Sequence, residues 1–230
     1  MAFSDDLYAE ARKIFADKWE ERDGTVVPET TNLALGNEGV NLSGTVLYAD
    51  LDGSTAMVDS ETRQFAGEVY KAYLRCCARV ISLRGGTITA YDGDRVMAVF
   101  IGNYKNTNAA KCALNINYVV RDIINPAIRS VYTSQTFQVK QVVGVDTSKL
   151  MATRTGVRGN NDLVWVGRAA NYAAKLTTLS EFPSWITKAV YDSINEEVKL
   201  STDGRPMWQA RQWKPMNNME IYCSNWYWKP

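Results

Sequence analysis

Residues 46–55 read VLYADLDGST, an apolar run that ends in two carboxylates, a glycine and two hydroxyls. The apolar run predicts a buried strand, and the glycine predicts a tight turn directly after it. Asp50 and Asp52 offer the oxygen ligands that hard cations prefer. An ordinary strand-to-helix turn with a capping aspartate explains this segment equally well, so the choice depends on a second segment.

Residues 84–100 read RGGTITAYDGDRVMAVF, which predicts a strand, an Asp-Gly turn and a second strand. Asp94 stands just beyond that turn. A strand-end aspartate, a long helical stretch and a hairpin aspartate together allow one sheet to bring two carboxylates to a pair of divalent ions. We therefore expect Asp50 and Asp94 to lie close together.

The two segments resemble the metal-binding motifs of class III nucleotide cyclases, F-x-D-[IL]-x-G-[FS]-[ST] and G-G-x-[IV]-x-K-x-x-G-D-x-x-[ML]-A-x-F, in the same order and at a suitable separation. The resemblance implies that Asp50 and Asp94 bind two divalent cations, Mn²⁺ or Mg²⁺, with the backbone carbonyl of Leu51 as a further candidate ligand. Asp52 is either an additional ligand or a solvent-exposed side chain, because the family pattern requires no carboxylate there.

The turn after the strand has its own expected role. Gly53 lets backbone N–H groups approach an anion closely, and Ser54 or Thr55 is suited to cap the following helix. By the resemblance, the backbone amides between Leu51 and Ser54 neutralise the polyphosphate of a nucleoside triphosphate substrate.

The resemblance extends into the second half of the chain. Residues 143–146, VGVD, and 164–176, VWVGRAANYAAKL, resemble the family blocks V-G-[IV]-x-x-G and Y-x-V-x-G-[DT]-x-V-N-x-A-[SA]-R-L. In the family, the Asn and Arg of the last block come from the partner subunit, where they orient the ribose and stabilise charge at the triphosphate. Asn171 occupies the Asn position, and Lys175 stands in place of Arg, which keeps the charge but loses the planar fork. The resemblance therefore implies a homodimer with shared active sites.

Two positions that contact the base differ from the family pattern. Adenylate cyclases of this class use a lysine and an Asp or Thr at the positions that hold Ala90 and Arg168 here, and guanylate cyclases generally use Glu or Cys. Arg168 offers only donors and Ala90 offers nothing, which favours a base with carbonyl acceptors such as uracil. Arg168 is also suited to binding phosphate or a neighbouring carboxylate. Tyr48, in place of the common Phe, is a second candidate for recognising the base.

These features resemble the pyrimidine cyclases of Pycsar bacterial antiphage defence. The resemblance implies conversion of UTP to 3′,5′-cyclic UMP and pyrophosphate, with the product activating a separate effector. The alternatives are a cytidylate cyclase, then a purine nucleotide cyclase, then a catalytically silent nucleotide sensor. A diguanylate-cyclase-like enzyme is disfavoured because its G-G-[DE]-E-F hairpin is absent.

Composition excludes several other classes of function. The chain of 230 residues contains no histidine, which removes Ser-His-Asp and Cys-His catalysis. A net charge of +1 with scattered basic residues predicts no nucleic-acid binding. No apolar stretch approaches the roughly 20 residues of a spanning helix, and the N-terminus resembles no secretory signal. We therefore expect a cytoplasmic protein without membrane attachment.

The order of predicted elements is βαββα followed by further strands, which predicts an α+β fold with helices packed against a mainly antiparallel sheet. By the resemblance, this is the ferredoxin-like βαββαβ core of a cyclase. We divide the chain into an N-terminal helix and connector, residues 1–43, and a catalytic domain, residues 44–230, that ends in Trp-rich strands. We expect one helix from Ser54 to Leu83, one that stops near Pro126, and an N-terminal helix over residues 4–21 that docks its apolar stripe.

Overall fold

A computed structural model describes residues 2–230. The strands are β1 (Glu20–Asp23), β2 (Glu38–Asp52), β3 (Thr87–Asp92), β4 (Arg95–Phe100), β5 (Lys140–Val157), β6 (Asn160–Val166), β7 (Ser184–Thr187), β8 (Gln209–Trp213) and β9 (Met219–Ser224). The helices are α1 (Phe3–Ala16), α2 (Ser54–Ser60), α3 (Arg63–Leu83), α4 (Lys105–Val119), α5 (Asn125–Val131), α6 (Arg168–Leu176), α7 (Lys188–Tyr191) and α8 (Glu196–Lys199).

The strands form one sheet in the order β3-β4-β2-β5-β7-β9-β8, with β1 beside β2 and β6 beside β5. Strand β2 is antiparallel to both β4 and β5, whereas the β5–β7 and β1–β2 pairs are parallel. The segment β2-α3-β3-β4-α4-β5 is a βαββαβ unit of ferredoxin-like strand order. The predicted α+β fold with a mainly antiparallel sheet is confirmed.

The two faces of the sheet carry different helices. Leu47, Ala49 and Leu51 of β2 pack into one core with α3 and α4, and the alternate residues Val46 and Tyr48 pack on the other side with α6. This alternation places Asp50, two residues beyond Tyr48, on the side of the sheet that carries α6.

The predicted single helix from Ser54 to Leu83 is wrong, because the chain breaks it into α2 and α3. Thr62 adopts an extended conformation between them, and its hydroxyl accepts a hydrogen bond from the backbone N–H of Phe65 at 3.3 Å. An N-cap of this kind starts a new helix. The axis of the short α2, which follows the turn at Gly53, can therefore differ in direction from that of α3.

The predicted stop near Pro126 is also wrong. A π-helical turn, Val120–Ile124, follows α4 and leads directly into α5, where Pro126 lies in the first turn. Proline is tolerated there because the first N–H groups of a helix have no intrahelical acceptor.

The N-terminal region departs from expectation in two ways. Helix α1 ends at Ala16 and has no buried residue, so the predicted docking of its apolar stripe has no counterpart among residues 2–230. Asn37 nevertheless holds its end by donating to the carbonyl oxygens of Ile14 and Asp17 at 2.7 and 2.9 Å. Strand β2 begins at Glu38, inside the segment expected to be a connector, because it pairs with β1 and β5.

The Trp-rich end completes the sheet, as the sequence predicts, with the antiparallel pair β8–β9. Residues 225–230 then cross α4, where Asn115 and Asn117 donate to backbone carbonyls of Trp228 and Trp226 at 2.8 and 2.9 Å. Among residues 2–230, no helix is long and apolar enough to cross a membrane.

Candidate active site

Asp50 lies near the end of β2 and is half-buried. Its Oδ1 accepts a hydrogen bond from the backbone N–H of Leu51 at 3.1 Å, and its carbonyl oxygen accepts one from the Tyr73 hydroxyl at 3.2 Å. Tyr73 is fully buried under the sheet, so this contact ties α3 to the strand end. The carboxylate is thereby held in place beside the turn at Gly53.

Asp94 lies in the hairpin turn immediately before β4, next to Gly93, which has φ 62°. Its Oδ2 is buried and has no hydrogen-bond partner among residues 2–230. Burial raises the pKa of Asp50, and the neighbouring carboxylate of Asp94 raises it further, while Arg95 opposes both. Ala49 of β2 pairs with Val96 of β4, so Asp50 and Asp94 lie at the same end of two neighbouring strands. The structure therefore brings the two aspartates together, as the sequence predicts.

This pair of carboxylates fits a divalent cation. A buried carboxylate oxygen without a donor is costly, and a cation satisfies it. Within residues 2–230 there is no cluster of three or more histidine, cysteine, aspartate or glutamate side chains that could hold a metal. Mg²⁺ is commonly bound by one or two carboxylates together with substrate phosphates and water, so two aspartates suffice for an ion shared with a nucleotide. Asp52 is half-buried at the strand end.

The turn after β2 depends on glycine. Gly53 has φ 75° and occupies the N-cap of α2, and neither Ser54 nor Thr55 caps the helix as predicted. Ser54 is instead the first helical residue. Because Gly53 has no side chain and nothing would contact a β-carbon there within 4 Å, the backbone of this turn is open to a ligand.

A row of side chains runs from the aspartates across the sheet. Tyr48 is paired with Met97 on β4, and Met97 is paired with Ala90 on β3. Tyr48 is half-buried, and its burial raises the pKa of its hydroxyl. The structure thus brings Tyr48 and Ala90 to the same side of the sheet, next to the two aspartates.

Sequence reasoning missed Arg95. Its guanidinium carbon lies 5.3 Å from the ring centroid of Tyr48, and its Nη2 is 2.5 Å from Oδ2 of Asp92. Its Nε is buried and has no hydrogen-bond partner among residues 2–230. The available signal was its position immediately after Asp94, which puts a cation beside any group bound by the aspartates.

Helix α6 carries Asn171 and Lys175 one turn apart, and both are exposed. Asn171 makes no side-chain hydrogen bond within residues 2–230, and the Lys175 ammonium contacts only the sulfur of Met216, at 3.9 Å. Neither forms a hydrogen bond or ion pair with Asp50 or Asp94 of its own chain. Both are therefore free to contact another molecule.

Arg168 adopts the alternative role considered for it, pairing with a carboxylate. Its Nε lies 3.1 Å from Oδ2 of Asp146, and its Nη2 donates to the Thr147 carbonyl at 2.8 Å. Two of its three nitrogens are thus engaged within the chain. Its predicted contact with a base stays a prediction.

Comparison with known proteins finds relatives of the same length. The chain is 51% identical to a uridylate cyclase of Xanthomonas perforans, covering 100% of this chain and 99% of that protein. It is 50% identical to a uridylate cyclase of Burkholderia cepacia, covering 99% of each. A uridylate cyclase of Rhodovulum is 37% identical over 100% of this chain and 99% of its own. No protein-family model matches the chain.

Solved structures share the fold at low sequence identity. An adenylyl cyclase of P. aeruginosa has a TM-score of 0.68 and 20% identity, covering 81% of this chain and 95% of that chain. A dimeric guanylyl cyclase domain of Blastocladiella emersonii has a TM-score of 0.63 and 14% identity, covering 80% and 97%. Together with the whole-length similarity to the curated relatives, these findings show that the chain is a nucleotide cyclase, that it has the fold of class III nucleotide cyclases and that it belongs to the family of these uridylate cyclases.

Proposed function

We propose that this cyclase converts UTP to 3′,5′-cyclic UMP and pyrophosphate. The observation that carries the proposal is the row of Tyr48, Ala90 and Arg95 beside the aspartate pair. This row offers hydrogen-bond donors, and it contains no carboxylate or amide that could accept a hydrogen bond from the amino group of adenine. The names of the three relatives that match over the whole length support the same substrate.

The aspartate pair binds the cations, and the turn after β2 binds the triphosphate of the substrate. Asp50 and Asp94, with the Leu51 carbonyl, hold two divalent cations, Mn²⁺ or Mg²⁺. When bound, these ions lower the pKa of the ribose 3′-hydroxyl and neutralise charge on the polyphosphate. The open backbone at Gly53 and Ser54 donates to the triphosphate, and no protein side chain has to act as a general base.

Asn171 and Lys175 complete the site from a second subunit. Their exposure on α6, without a partner in residues 2–230 beyond the Met216 sulfur, supports this role. Asn171 orients the ribose, and Lys175 stabilises charge that develops at the triphosphate during transfer. The active enzyme is therefore a homodimer in which each site combines the aspartates of one chain with α6 of the other.

Uracil is recognised by donors on the α6 side of the sheet. Arg95, whose buried Nε has no partner among residues 2–230, donates to a carbonyl oxygen, and Tyr48 stacks on the base or donates from its hydroxyl. Ala90 leaves room for the base. Arg168 contributes at most the nitrogen that is not bound to Asp146 and Thr147.

The product is a second messenger in this proposal. Cyclic UMP activates a separate effector in defence against bacteriophage, as the resemblance to Pycsar cyclases implies. The enzyme acts in the cytoplasm in this proposal.

Incubation of the protein with an equimolar mixture of the four NTPs and Mn²⁺ tests the substrate. We expect cyclic UMP as the dominant product, because a site built from hydrogen bonds to one base rejects others strongly, by more than the about 1–3 kcal/mol that pocket shape alone provides. Dominant cyclic CMP would support the cytidylate alternative. Dominant cyclic AMP or cyclic GMP would overturn pyrimidine specificity, and binding without product would favour the silent sensor.

A further inference from the structure

Asp146 is a fully buried carboxylate on β5 that has no place in the proposed chemistry. It accepts a hydrogen bond from the Thr187 hydroxyl at 2.5 Å and from Nε and Nη2 of Arg168 at 3.1 and 3.4 Å. Burial raises the pKa of Asp146, and the hydrogen bonds from Thr187 and the Thr147 backbone and the charge of Arg168 oppose that rise. A buried charge is tolerated only with such partners.

The donors come from two separate elements. Thr187 is the last residue of β7, and Arg168 is the first residue of α6. One carboxylate on β5 therefore joins the end of a neighbouring strand to the start of the helix. A second contact fixes the same helix end, because the backbone N–H of Ala169 donates to the Ser148 hydroxyl at 3.0 Å.

The helix end that Asp146 contacts belongs to the same helix as the exposed Asn171 and Lys175. Asn171 and Lys175 lie three and seven residues after Arg168, so the three side chains share one side of the helix. The opposite side rests on the sheet through Ala169, Ala170 and Ala173. Larger side chains pack further along the helix, where Leu176 is fully buried and the Tyr172 ring contacts the Trp213 ring edge to face. In the first turn of α6 the packed residues are alanines, and there the ion pair between Asp146 and Arg168 supplies a directional constraint that alanine packing lacks.

We infer that Asp146 is a positioning residue of the cyclase, which acts through Arg168 to set the direction of Asn171 and Lys175. Arg168 belongs to this support and does not recognise the base. The inference rests on the proposed roles of Asn171 and Lys175 in the transition state, so it predicts an effect on turnover with little effect on substrate affinity.

A double-mutant cycle tests the inference with Asp146→Asn, Arg168→Gln and the double variant. We expect each single change to lower kcat by about 10- to 100-fold, as removal of a supporting contact around an active site does, with KM within about 2-fold of the wild type. The double variant should be no slower than the slower single variant, because both changes remove the same contact. The product ratio from mixed NTPs should stay unchanged.

Arg154→Gln is the matched control. This arginine also lies on β5, but its guanidinium bonds to Asn161 and to the Leu33 carbonyl, away from α6. The control should keep the kcat of the wild type. All variants are compared by thermal melting and assayed with whichever NTP the wild type cyclises best, so an error in the proposed UTP preference leaves the test intact.

Three results would overturn the inference. One is a kcat close to that of the wild type in folded Asp146→Asn or Arg168→Gln. Another is a double variant whose loss equals the product of the single losses. The third is a changed product ratio in Arg168→Gln alone, which would make Arg168 a base-recognising residue. If Asp146→Asn does not fold, the test uses Arg168→Lys instead, because Arg168 is partly exposed and its substitution should be tolerated. Lysine can keep one hydrogen bond to Asp146, so the kcat of Arg168→Lys should lie between those of the wild type and Arg168→Gln. A kcat outside that interval would contradict the inference.

Discussion

The α-carbon of Gly144 lies so close to the backbone of Ala173 that a β-carbon at position 144 would fall 2.2 Å from the Ala173 carbonyl oxygen. The same β-carbon would fall 2.7 Å from Cβ of Leu176. The missing side chain at this point of β5 lets α6 rest directly on the sheet. The height of Asn171 and Lys175 above the sheet therefore depends on a glycine in another element.

Gly144→Ala should displace α6 and lower both stability and turnover. The added methyl group meets backbone atoms, which yield little, so we expect a loss of about 1–3 kcal/mol in the free energy of unfolding and a fall in kcat. Chemical denaturation and steady-state kinetics measure the two effects. Gly67→Ala is the control, because this glycine lies within α3 and nothing is within 4 Å of an added β-carbon. The free energy of unfolding of this variant should rise by up to about 1 kcal/mol, and its activity should equal that of the wild type. Equal behaviour of the two variants would contradict the role of the contact.

Asp50→Ala and Asp94→Ala should each abolish cyclisation, with turnover reduced by at least about 100-fold, while the fold survives. Two adjacent carboxylates without a cation repel each other, so the melting temperature without metal should not fall. Mn²⁺ should raise the melting temperature of the wild type and leave that of either variant unchanged. A cation stabilises a folded protein only when the folded state binds it, and each variant lacks one of the two carboxylates. Asp59→Ala, which removes an exposed carboxylate of α2, is the control. Near-normal turnover in either aspartate variant would contradict the assignment of Asp50 and Asp94 as metal ligands.

An Asp50→Ala subunit mixed with an Asn171→Ala subunit should recover activity that neither variant has alone. In a heterodimer with shared sites, one site has lost both residues and the other has kept both. Random exchange should restore up to about a quarter of the wild-type turnover, because half of the dimers are mixed and each has one intact site. Subunit exchange is confirmed separately with two different affinity tags. A mixture that exchanges subunits and stays inactive would show that the sites are not shared.

Asn115→Ala should release the C-terminal residues from α4. The Asn115 side chain is fully buried, accepts a hydrogen bond from Nε of Arg84 at 2.6 Å and donates to the Trp228 carbonyl at 2.8 Å. Its removal leaves a donor and an acceptor unpaired, and we expect a loss of about 1–3 kcal/mol in the free energy of unfolding. Thermal melting and proteolysis of the C-terminal residues measure this, with the exposed Asn103→Ala as control. Unchanged melting of Asn115→Ala would show that the hydrogen bonds of Asn115 contribute nothing to the stability of the fold.

The local sequence was sufficient to predict the positions of the two aspartates and the secondary-structure elements that carry them. An apolar run followed by Asp50 and Gly53 specifies a strand and turn, and an Asp-Gly pair between alternating residues specifies the hairpin before Asp94. Both signals act over a few residues, so they could be recognised without knowledge of the rest of the chain. The α+β fold follows from their order.

The local signals were insufficient where capping decides an element. Thr62 splits the predicted helix because its hydroxyl caps α3, and Pro126 continues a helix because it falls in a first turn. Either residue is compatible with more than one local structure. The surrounding packing selects among them.

Tertiary structure alone decided the partners of the charged groups. Asp146 and Arg168 meet across 22 residues of sequence, and Arg95 reaches the ring of Tyr48 from a neighbouring strand. Charge and spacing did not reveal these pairs, because a long side chain can turn toward a base, a phosphate or a carboxylate until the packing of strands and helices sets the distance. The sequence by itself determined which groups could bind a nucleotide and cations, and only the folded chain decided which of those groups were already engaged in holding the site together.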